Sequence, residues 1–490
     1  MIRVLLVCIF VLLLCPPLHF NISLGIDTSY AQEDILDGFG DDFNDFSTPE
    51  QGSVDEVATS SADQEKSALS LPFDCGGSLS LMATFNTSHH APEPGEIDWR
   101  GLSALRSELK LEFQDKIFQS FRWFVGIKAS HDFVYGIRHS DNFSSDLTED
   151  REMVPELDKA YIGGRITDYM DVSFGRQIVV WGKSDSIRVV DVINPLDMRE
   201  PGLTDIEDLR RPLTMSRLDF FWGDWTLKAI AIHEIRFDAL PVWGSDYYPS
   251  PTPLPAEYKP ESRFENTEYA VSLGKTFNGG DVSLYYAYLF NDAFHFESLS
   301  RENPPQYLPH LEHDRITMVG FDFNKALGNF MFKTEMALFL DMAYINPALL
   351  EDGNLVRGDN AGYTRYDGLI GFEYMGFNDT VISFDAVVRT IDDFDLLLET
   401  SPLNPREKEE QWVARLSRTF KNETLTAELL VSGYGWSGDD GAFERFKLQY
   451  NLTDDIMLTG GFIIYQSGAA IPIETIGDND RIFCDMEYSF

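Results

Sequence analysis

Basic residues are scarce in this sequence. Its 490 residues include 39 Lys and Arg against 80 Asp and Glu, which gives a formal net charge of −41. Proteins that bind nucleic acid use clustered Lys and Arg to neutralise phosphates. We therefore expect no nucleic-acid partner.

Long apolar runs are also nearly absent. A membrane-spanning helix needs about 20 apolar residues, and the longest run, Val4 to Leu14, is shorter. It follows Arg3 and precedes the small residues Ser29 and Ala31. This pattern predicts a secretory signal peptide over residues 1–31, with an uncleaved anchor as the alternative.

The segment that follows the signal peptide is acidic and rich in Ser. Residues 32–75 hold few apolar side chains that could form a core. We predict that they form a disordered segment in the periplasm.

A period-2 pattern begins after this segment and recurs to the C-terminus. Leu105, Leu109 and Leu111, for example, alternate with charged residues such as Arg106 and Lys110. In a soluble sandwich the apolar face would be the core. In a membrane barrel the apolar face meets lipid and the charged face lines water.

Strand length and loop length favour the membrane barrel. About 18 alternating segments are present, and many are long enough to cross a bilayer when tilted. Connections after even-numbered segments are short, and most of those after odd-numbered segments are long, as in outer-membrane proteins. Residues 76–490 are thus predicted to form an all-β, transmembrane, antiparallel up-and-down β-barrel in a Gram-negative outer membrane, with both termini periplasmic.

Aromatic residues near the strand ends support this prediction, because they form girdles at membrane interfaces. The last strand ends in Phe490, which resembles the sorting signal read by the barrel-assembly machinery, an expected partner. The residues with this placement are Trp181, Trp222, Trp225, Trp412, Trp436, Tyr450, Tyr488 and Phe490.

One charge does not fit the alternation. Arg176 has the apolar parity of Val172 and Phe174. We expect a local bulge that turns Arg176 inward, or a position near the rim.

Two cysteines remain after removal of the signal peptide. Cys75 precedes strand 1 and Cys484 lies in strand 18, and these strands are neighbours in a closed barrel. Both cysteines have the apolar parity, so we predict a disulfide across the closure. Two free thiols are the alternative.

The segment between predicted strands 5 (169–181) and 6 (212–222) is the least strand-like. It mixes Ile187, Val189, Val190 and Ile193 with opposed charges. We predict a loop that folds into the lumen and sets its selectivity, with an ordinary outer loop as the alternative. The candidate constriction residues are Lys183, Asp185, Arg188, Asp191, Asn194, Asp197, Arg199, Arg210 and Arg211.

The same region resembles a family of poorly characterised, porin-like outer-membrane proteins. The resemblance covers about 40 residues, including Trp181-Gly182-Lys183-Ser184-Asp185 and Asp191-Val192-Ile193-Asn194-Pro195-Leu196-Asp197. Gly175-Arg176-Gln177 and Leu209-Arg210-Arg211-Pro212 belong to it as well. The resemblance implies a large Gram-negative outer-membrane barrel and no particular substrate. Some members of the family are associated with systems that transport lipids or hydrophobic compounds.

Strand parity also predicts the lumen wall. Both signs of charge occur on the inward face, so the acidic surplus must lie mainly in the loops and the N-terminal segment. Acidic loops would allow divalent cations to bridge the protein to lipopolysaccharide, and we expect no other cofactor. The wall candidates are Arg106, Glu108, Lys110, Arg122, Lys128, Asp385, Arg389 and Arg415, with Arg445 and Lys447 on strand 16.

Motifs for catalysis are missing. The chain has no G-x-S-x-G elbow and no H-E-x-x-H zinc motif. We found no Ser and His on adjacent strands facing outward, as a membrane phospholipase would need. The sequence therefore predicts that the protein is not an enzyme.

The leading functional hypothesis is a channel for passive diffusion of small solutes, because an 18-stranded barrel is wide enough for an aqueous path. One rival is a transporter of hydrophobic or lipid-like molecules that works with periplasmic carriers. Another is a plugged structural or adhesive barrel. An apolar groove beside the inward loop would favour the first rival, and charged side chains would favour the channel. A homo-oligomer is compatible with all three.

Overall fold

The computed structural model describes residues 73–490 except 94–95, 119, 251, 300–305, 347, 358–361, 395–397, 399–402 and 471–472. Eighteen antiparallel strands form one sheet. They are β1 (Asp74–Asn86), β2 (Gly101–Phe118), β3 (Phe121–Asp132), β4 (Met153–Thr167), β5 (Met170–Gln177), β6 (Leu213–Trp222), β7 (Trp225–Ile232), β8 (Glu268–Phe277), β9 (Gly280–Phe290), β10 (Arg315–Leu327), β11 (Phe330–Met342), β12 (Tyr363–Phe377), β13 (Thr380–Ile391), β14 (Lys408–Phe420), β15 (Leu425–Tyr434), β16 (Ala442–Asn451), β17 (Ile456–Gln466) and β18 (Arg481–Ser489).

The sheet closes on itself. Each strand pairs with its neighbours in the chain, and β1 also pairs with β18, from Ser78 opposite Ser489 to Asn86 opposite Arg481. Beyond β18, the backbone N–H of Phe490 donates to the carbonyl oxygen of Gly77 at 2.9 Å. A closed barrel leaves no unpaired edge in a membrane. The predicted 18-stranded antiparallel barrel is confirmed.

The two ends of the barrel differ. At one end, which we call the short-turn end, two to four residues connect successive strands. At the other, the long-loop end, the connections run from seven residues (435–441) to thirty-five (178–212 and 233–267). The strand bounds confirm the predicted alternation of short and long connections.

The outer surface of the barrel is apolar. Leu284, Met336 and Ile370, on β9, β11 and β12, are 55%, 58% and 70% exposed. Such exposure is tolerated when lipid covers the surface. Exposed aromatic residues surround the short-turn end, among them Trp222, Trp225, Tyr450, Tyr488 and Phe490. Trp181 is not among them, because it is buried inside the barrel.

The remaining elements lie in the long loops. Three short helices occur in the described residues: α1 (Val134–Ile137), α2 (Ser145–Arg151) and α3 (Ile206–Leu209). No helix in this part of the chain combines the length and apolar composition needed to span a membrane. A small sheet joins Glu257–Tyr258, His295–Glu297, His310–Glu312 and Ile345–Asn346, and a hairpin pairs Ala348–Glu351 with Asn354–Arg357. Short 3₁₀ turns lie at Ser140–Asn142, Phe264–Asn266 and Ile473–Thr475.

The predicted signal peptide (1–31) and nearly all of the predicted acidic segment (32–75) lie outside the described residues. The barrel begins at Asp74, two residues before the predicted boundary, because Asp74 and Cys75 already pair with Gln114 and Phe113 of β2.

The predicted disulfide is wrong. Cys484 lies opposite Ala83, whereas Cys75 lies eight residues before Ala83 on β1. Both thiols are exposed and free. Eight residues of a strand span about 26 Å, whereas a disulfide requires Cα atoms about 5.5 Å apart. Neighbouring strands and matching parity were predicted correctly, but the register separates the two cysteines.

Arg176 lies near the rim without a bulge. β5 and β6 pair without interruption from Met170 to Gln177, and Arg176 is the next-to-last residue of β5. Its guanidinium approaches Glu234 at 3.1 Å and Glu156 at 3.6 Å. These carboxylates offset the cost of a charge on the apolar parity.

Candidate functional site

The loop between β5 and β6 lies inside the barrel. Its apolar residues pack against inward side chains of the wall, such as Met215 on β6 and Met318 on β10, in one buried cluster. Their burial removes apolar surface from water, which fixes the loop against the wall. The loop residues in this cluster are Val179, Trp181, Ile187, Val189, Val190 and Ile193.

Carboxylates on β9, β11 and β13 hold the first half of the loop. Glu335 on β11 accepts hydrogen bonds from the backbone N–H groups of Lys183 and Ser184 at 2.6 and 2.8 Å. Lys183 Nζ lies 2.6 Å from Asp281 on β9. The Ser184 hydroxyl donates to Asp385 on β13 at 2.8 Å. These wall carboxylates therefore satisfy donors of the loop.

The second half of the loop reaches the opposite wall. Glu200 accepts two hydrogen bonds from Arg106 on β2, at 3.0 and 3.1 Å, and contacts Arg151 of α2 at 2.5 Å. The Tyr465 hydroxyl on β17 donates to the carbonyl oxygen of Pro201 at 2.6 Å. Because β2 and β11 lie half a circumference apart, the loop crosses the lumen.

Four of the predicted constriction residues stabilise the loop itself. Asp191 is buried and accepts hydrogen bonds from Arg210 Nε at 2.9 Å and from the backbone N–H of Trp181 at 3.3 Å. Arg188 donates to the carbonyl oxygens of Asp191 and Asn194 at 2.6 and 2.7 Å. Asn194, fully buried, accepts from the backbone N–H of Val179 at 2.8 Å. These side chains determine the path of the loop.

Three further predicted residues, Asp197, Arg199 and Arg211, contribute to contacts between this loop and neighbouring loops. Arg211 donates to the carbonyl oxygen of Phe237 at 2.8 Å. Arg199 pairs with Asp197 at 2.5 Å and with Asp150 at 3.2 Å. Burial works to raise the pKa of Asp197, but Arg199 outweighs it and leaves the pKa below its ordinary value.

The loop also presents carboxylates to water. Asp185 is 48% exposed and lies 3.1 Å from Lys333 of β11. Glu207 and Asp208 of α3 are exposed. Burial, followed by the nearby charge of Asp185, raises the pKa of Glu207. These two acids were not among the predicted constriction residues, although they lie three and two residues before Arg210.

Two wall cations lie within electrostatic range of the acids of α3. Lys110 of β2 is within electrostatic range of Asp208, and Arg415 of β14 within range of Glu207. Lys110 is 48% exposed and Arg415 33%. Acidic loop residues thus lie within electrostatic range of basic wall residues.

The predicted wall residues all lie on strands with inward parity. Glu108 pairs with Lys110 and Lys128 at 3.4 and 3.5 Å, and Arg389 donates to the carbonyl oxygen of Arg188 in the loop. The full set is Arg106, Glu108, Lys110, Arg122, Lys128, Asp385, Arg389, Arg415, Arg445 and Lys447.

Several important wall residues were missed. Glu335 and Lys333 on β11 and Glu428 on β15 contact the loop or its partners. Their inward parity was readable from the sequence. Their contacts were not, because these depend on where the loop crosses the lumen.

The expected absence of an outward Ser–His pair on adjacent strands is wrong. Ser216 Oγ on β6 lies 2.8 Å from Nε2 of His233, which follows β7. Ser216 has the parity of exposed Leu218 and alternates with buried Met215, so the pair is on the outer side. Each polar group satisfies the other next to lipid.

No group of His, Cys, Asp or Glu within the described ranges is arranged to hold a metal ion. Four buried residues of these types, His295, Glu297, His310 and Glu312, lie on the small loop sheet. His310 Nε2 and Glu312 Oε1 lie 2.9 Å apart and pair with each other.

A closed 18-stranded barrel with an apolar outer surface and a loop across its lumen defines an outer-membrane-type β-barrel protein. The chain belongs to the family described as "Protein of unknown function (DUF1302)", whose sequence profile matches residues 102–490. No curated protein matches the sequence.

Several solved structures resemble the chain at low sequence identity. Acinetobacter baumannii OccAB2 shares 10% identity over 85% of this chain and 98% of its own, with a TM-score of 0.47. Pseudomonas aeruginosa OpdL shares 10% over 86% and 99%, with a TM-score of 0.47. Vibrio cholerae OmpT, described as an outer membrane protein, shares 9% over 85% and 99%, with a TM-score of 0.39.

Proposed function

We propose that this protein is a channel for passive diffusion of small hydrophilic solutes across a Gram-negative outer membrane. In the proposed orientation the long loops face outward and both termini lie in the periplasm. The barrel supplies the path across the membrane, and the loop 178–212 narrows it.

The observation that carries this proposal is which side chains of the loop are buried and which face water. The apolar residues Trp181, Ile187, Val190 and Ile193 are buried against the wall. They are therefore unavailable to line a groove for a hydrophobic substrate. The carboxylates of Asp185, Glu207 and Asp208 face water instead.

Planar-bilayer recordings with the purified protein test the proposal. We expect stepwise ion conductance and swelling of proteoliposomes in small sugars. A barrel that stays closed under all voltages would reject the channel and favour a plugged structural barrel. Transfer of a fluorescent fatty acid without sugar flux would favour the hydrophobic transporter.

Variants of the acidic residues of α3 give a more specific test than conductance alone. Replacing Glu207 and Asp208 by their amides removes two negative charges from the lumen. The reversal potential in a KCl gradient should then move towards anions. The Lys110→Gln variant, which removes a wall cation, should move it the other way, and an unchanged potential in both would reject the placement of the path.

A further inference from the structure

Three cations converge on the inner wall about halfway along β14 and β16. Arg415 Nη2 lies 2.6 Å from Oε2 of Glu428 on β15, and Arg445 Nη2 lies 3.0 Å from Oε1 of the same carboxylate. Lys447 Nζ lies 3.6 Å from that oxygen. We call Arg415, Arg445 and Lys447 the cation triad. Glu428 alone offsets only one of its three charges.

The loop supplies the second carboxylate. Asp205, the residue before α3, contacts Arg445 and lies 2.8 Å from Lys447 Nζ. Arg445 also donates to the carbonyl oxygens of Gly202 and Leu203, each at 3.2 Å. The triad is thus occupied by a carboxylate that the chain carries across the lumen.

The chemistry of the triad suits a carboxylate. Arg445 is 1% exposed, and its Nε is buried without a hydrogen-bond acceptor. Guanidinium groups bind carboxylates through two parallel N–H donors, which makes these hydrogen bonds strong and directional. Burial works to raise the pKa of Asp205, yet Arg445 and Lys447 lower it to about 2. The occupant is therefore ionised at neutral pH.

The cation triad and Asp205 are partly exposed to solvent. Asp205 is 26% exposed and Arg415 33%, whereas Arg445 and Glu428 behind them are almost fully buried. A solute in the lumen would meet Arg415 and Asp205 before it met the buried pair.

We infer that the cation triad is a binding site for solute carboxylates, and that Asp205 occupies it as an internal competitor. This inference rests on the proposed channel function and specifies its solute class: small carboxylates such as succinate. A solute carboxylate displaces Asp205 from Arg445 and Lys447, and the freed loop carboxylate turns to water.

Competition by a tethered group has a predictable size. A tethered group competes at an effective concentration of about millimolar or more. The apparent affinity for a solute falls in proportion to the fraction of sites that the tethered group leaves open. Removing the charge of Asp205 should lower the apparent dissociation constant by about tenfold or more.

Calorimetric titration of the detergent-solubilised protein with sodium succinate tests this without requiring conduction. We expect weak binding to the wild type and at least about tenfold tighter binding to Asp205→Asn. The double variant Asp205→Asn/Lys447→Gln should lose this gain. Equal affinity of wild type and Asp205→Asn for succinate would overturn the inference.

Glu200→Gln is the matched control. Glu200 belongs to the same loop and also contacts two cations, but these are Arg106 of β2 and Arg151 of α2 and not members of the triad. This variant loosens the loop but leaves Asp205 in place, so succinate affinity should not rise. An equal rise would attribute the effect to general loosening and reject the site.

Two more outcomes separate the alternatives. If chloride at the same ionic strength displaces succinate equally well, the triad is a general anion site and the carboxylate assignment fails. If succinate binds as expected while no variant conducts in bilayers, the binding site stands and the proposed channel function fails. Circular dichroism of each variant verifies that the barrel has folded.

Discussion

Glu335 on β11 accepts hydrogen bonds from the backbone N–H groups of two consecutive loop residues, Lys183 and Ser184, at 2.6 and 2.8 Å. A longer contact at 3.4 Å joins the second oxygen of this carboxylate to the backbone N–H of Val190. One buried carboxylate thus fixes both sides of a turn in the loop that crosses the lumen.

Replacing Glu335 by Ala should release this turn. Each buried donor left without an acceptor costs about 1–3 kcal/mol, so the local free energy of opening should fall by several kcal/mol. Hydrogen exchange at the amides of Lys183 and Ser184 measures the effect directly. Glu351→Ala, in an exposed loop hairpin, is the control and should leave these amides protected.

Gly182→Ala should disturb the same contact from the other side. Gly182 has a φ of +86°, and a Cβ there would approach Oε1 of Glu335 to 2.8 Å. The left-handed conformation alone costs about 1 kcal/mol for Ala, and the steric conflict adds to it. We expect noisier or larger single-channel steps than in the wild type. Gly136→Ala in α1, where a Cβ meets no atom within 4 Å, should leave the steps unchanged.

The ion selectivity of the channel should depend on pH through Glu207. Burial and the charge of Asp185 raise the pKa of this carboxyl above its ordinary value of 4.5. Because its pKa is raised, Glu207 takes up a proton before carboxylates of ordinary pKa do as the pH falls. The lumen then loses one negative charge, and the ratio of cation to anion permeability should decline in mildly acidic buffer.

Reversal potentials in a KCl gradient, measured from neutral to mildly acidic pH, record this change. Glu207→Gln should start at the lower ratio of cation to anion permeability and show a flatter profile over the same pH range. A profile that is identical in both proteins would assign the titration to other carboxylates.

The register of the barrel closure predicts where a disulfide can form. Ala83 on β1 lies directly opposite Cys484 on β18. Ala83→Cys should therefore form a disulfide with Cys484 upon mild oxidation, whereas the wild type should keep two free thiols. Counting thiols with a maleimide under denaturing conditions, before and after reduction, measures this. Ala83→Cys combined with Cys484→Ser is the control, and a disulfide between Cys75 and Cys484 in the wild type would contradict the register.

Local pattern was sufficient for much of the fold. Alternation along β2, where Arg106 and Lys110 face inward between apolar neighbours, assigned the wall charges to the correct face. Strand count and the contrast between short turns and long loops followed from the same period. A side-chain period of two residues assigns faces without knowledge of any other strand.

Pattern did not give the roles of the loop residues. Arg188 and Arg210 are charged residues of a loop inside the barrel, and the sequence placed them at a constriction. In the structure both donate hydrogen bonds to Asp191. Glu207 and Asp208, a few residues away, face water instead. Sequence spacing does not determine which of two nearby charges finds a buried partner.

The sequence by itself determined a closed, lipid-facing barrel of eighteen strands with a charged interior, because hydrophobic alternation and turn length are local properties of the chain. Only the tertiary structure decided that Cys484 meets Ala83 and not Cys75, that Glu335 holds the loop, and that Asp205 lies on Arg445 and Lys447. Each of these depends on register or on the path of a loop, which are set by contacts between residues far apart in the chain.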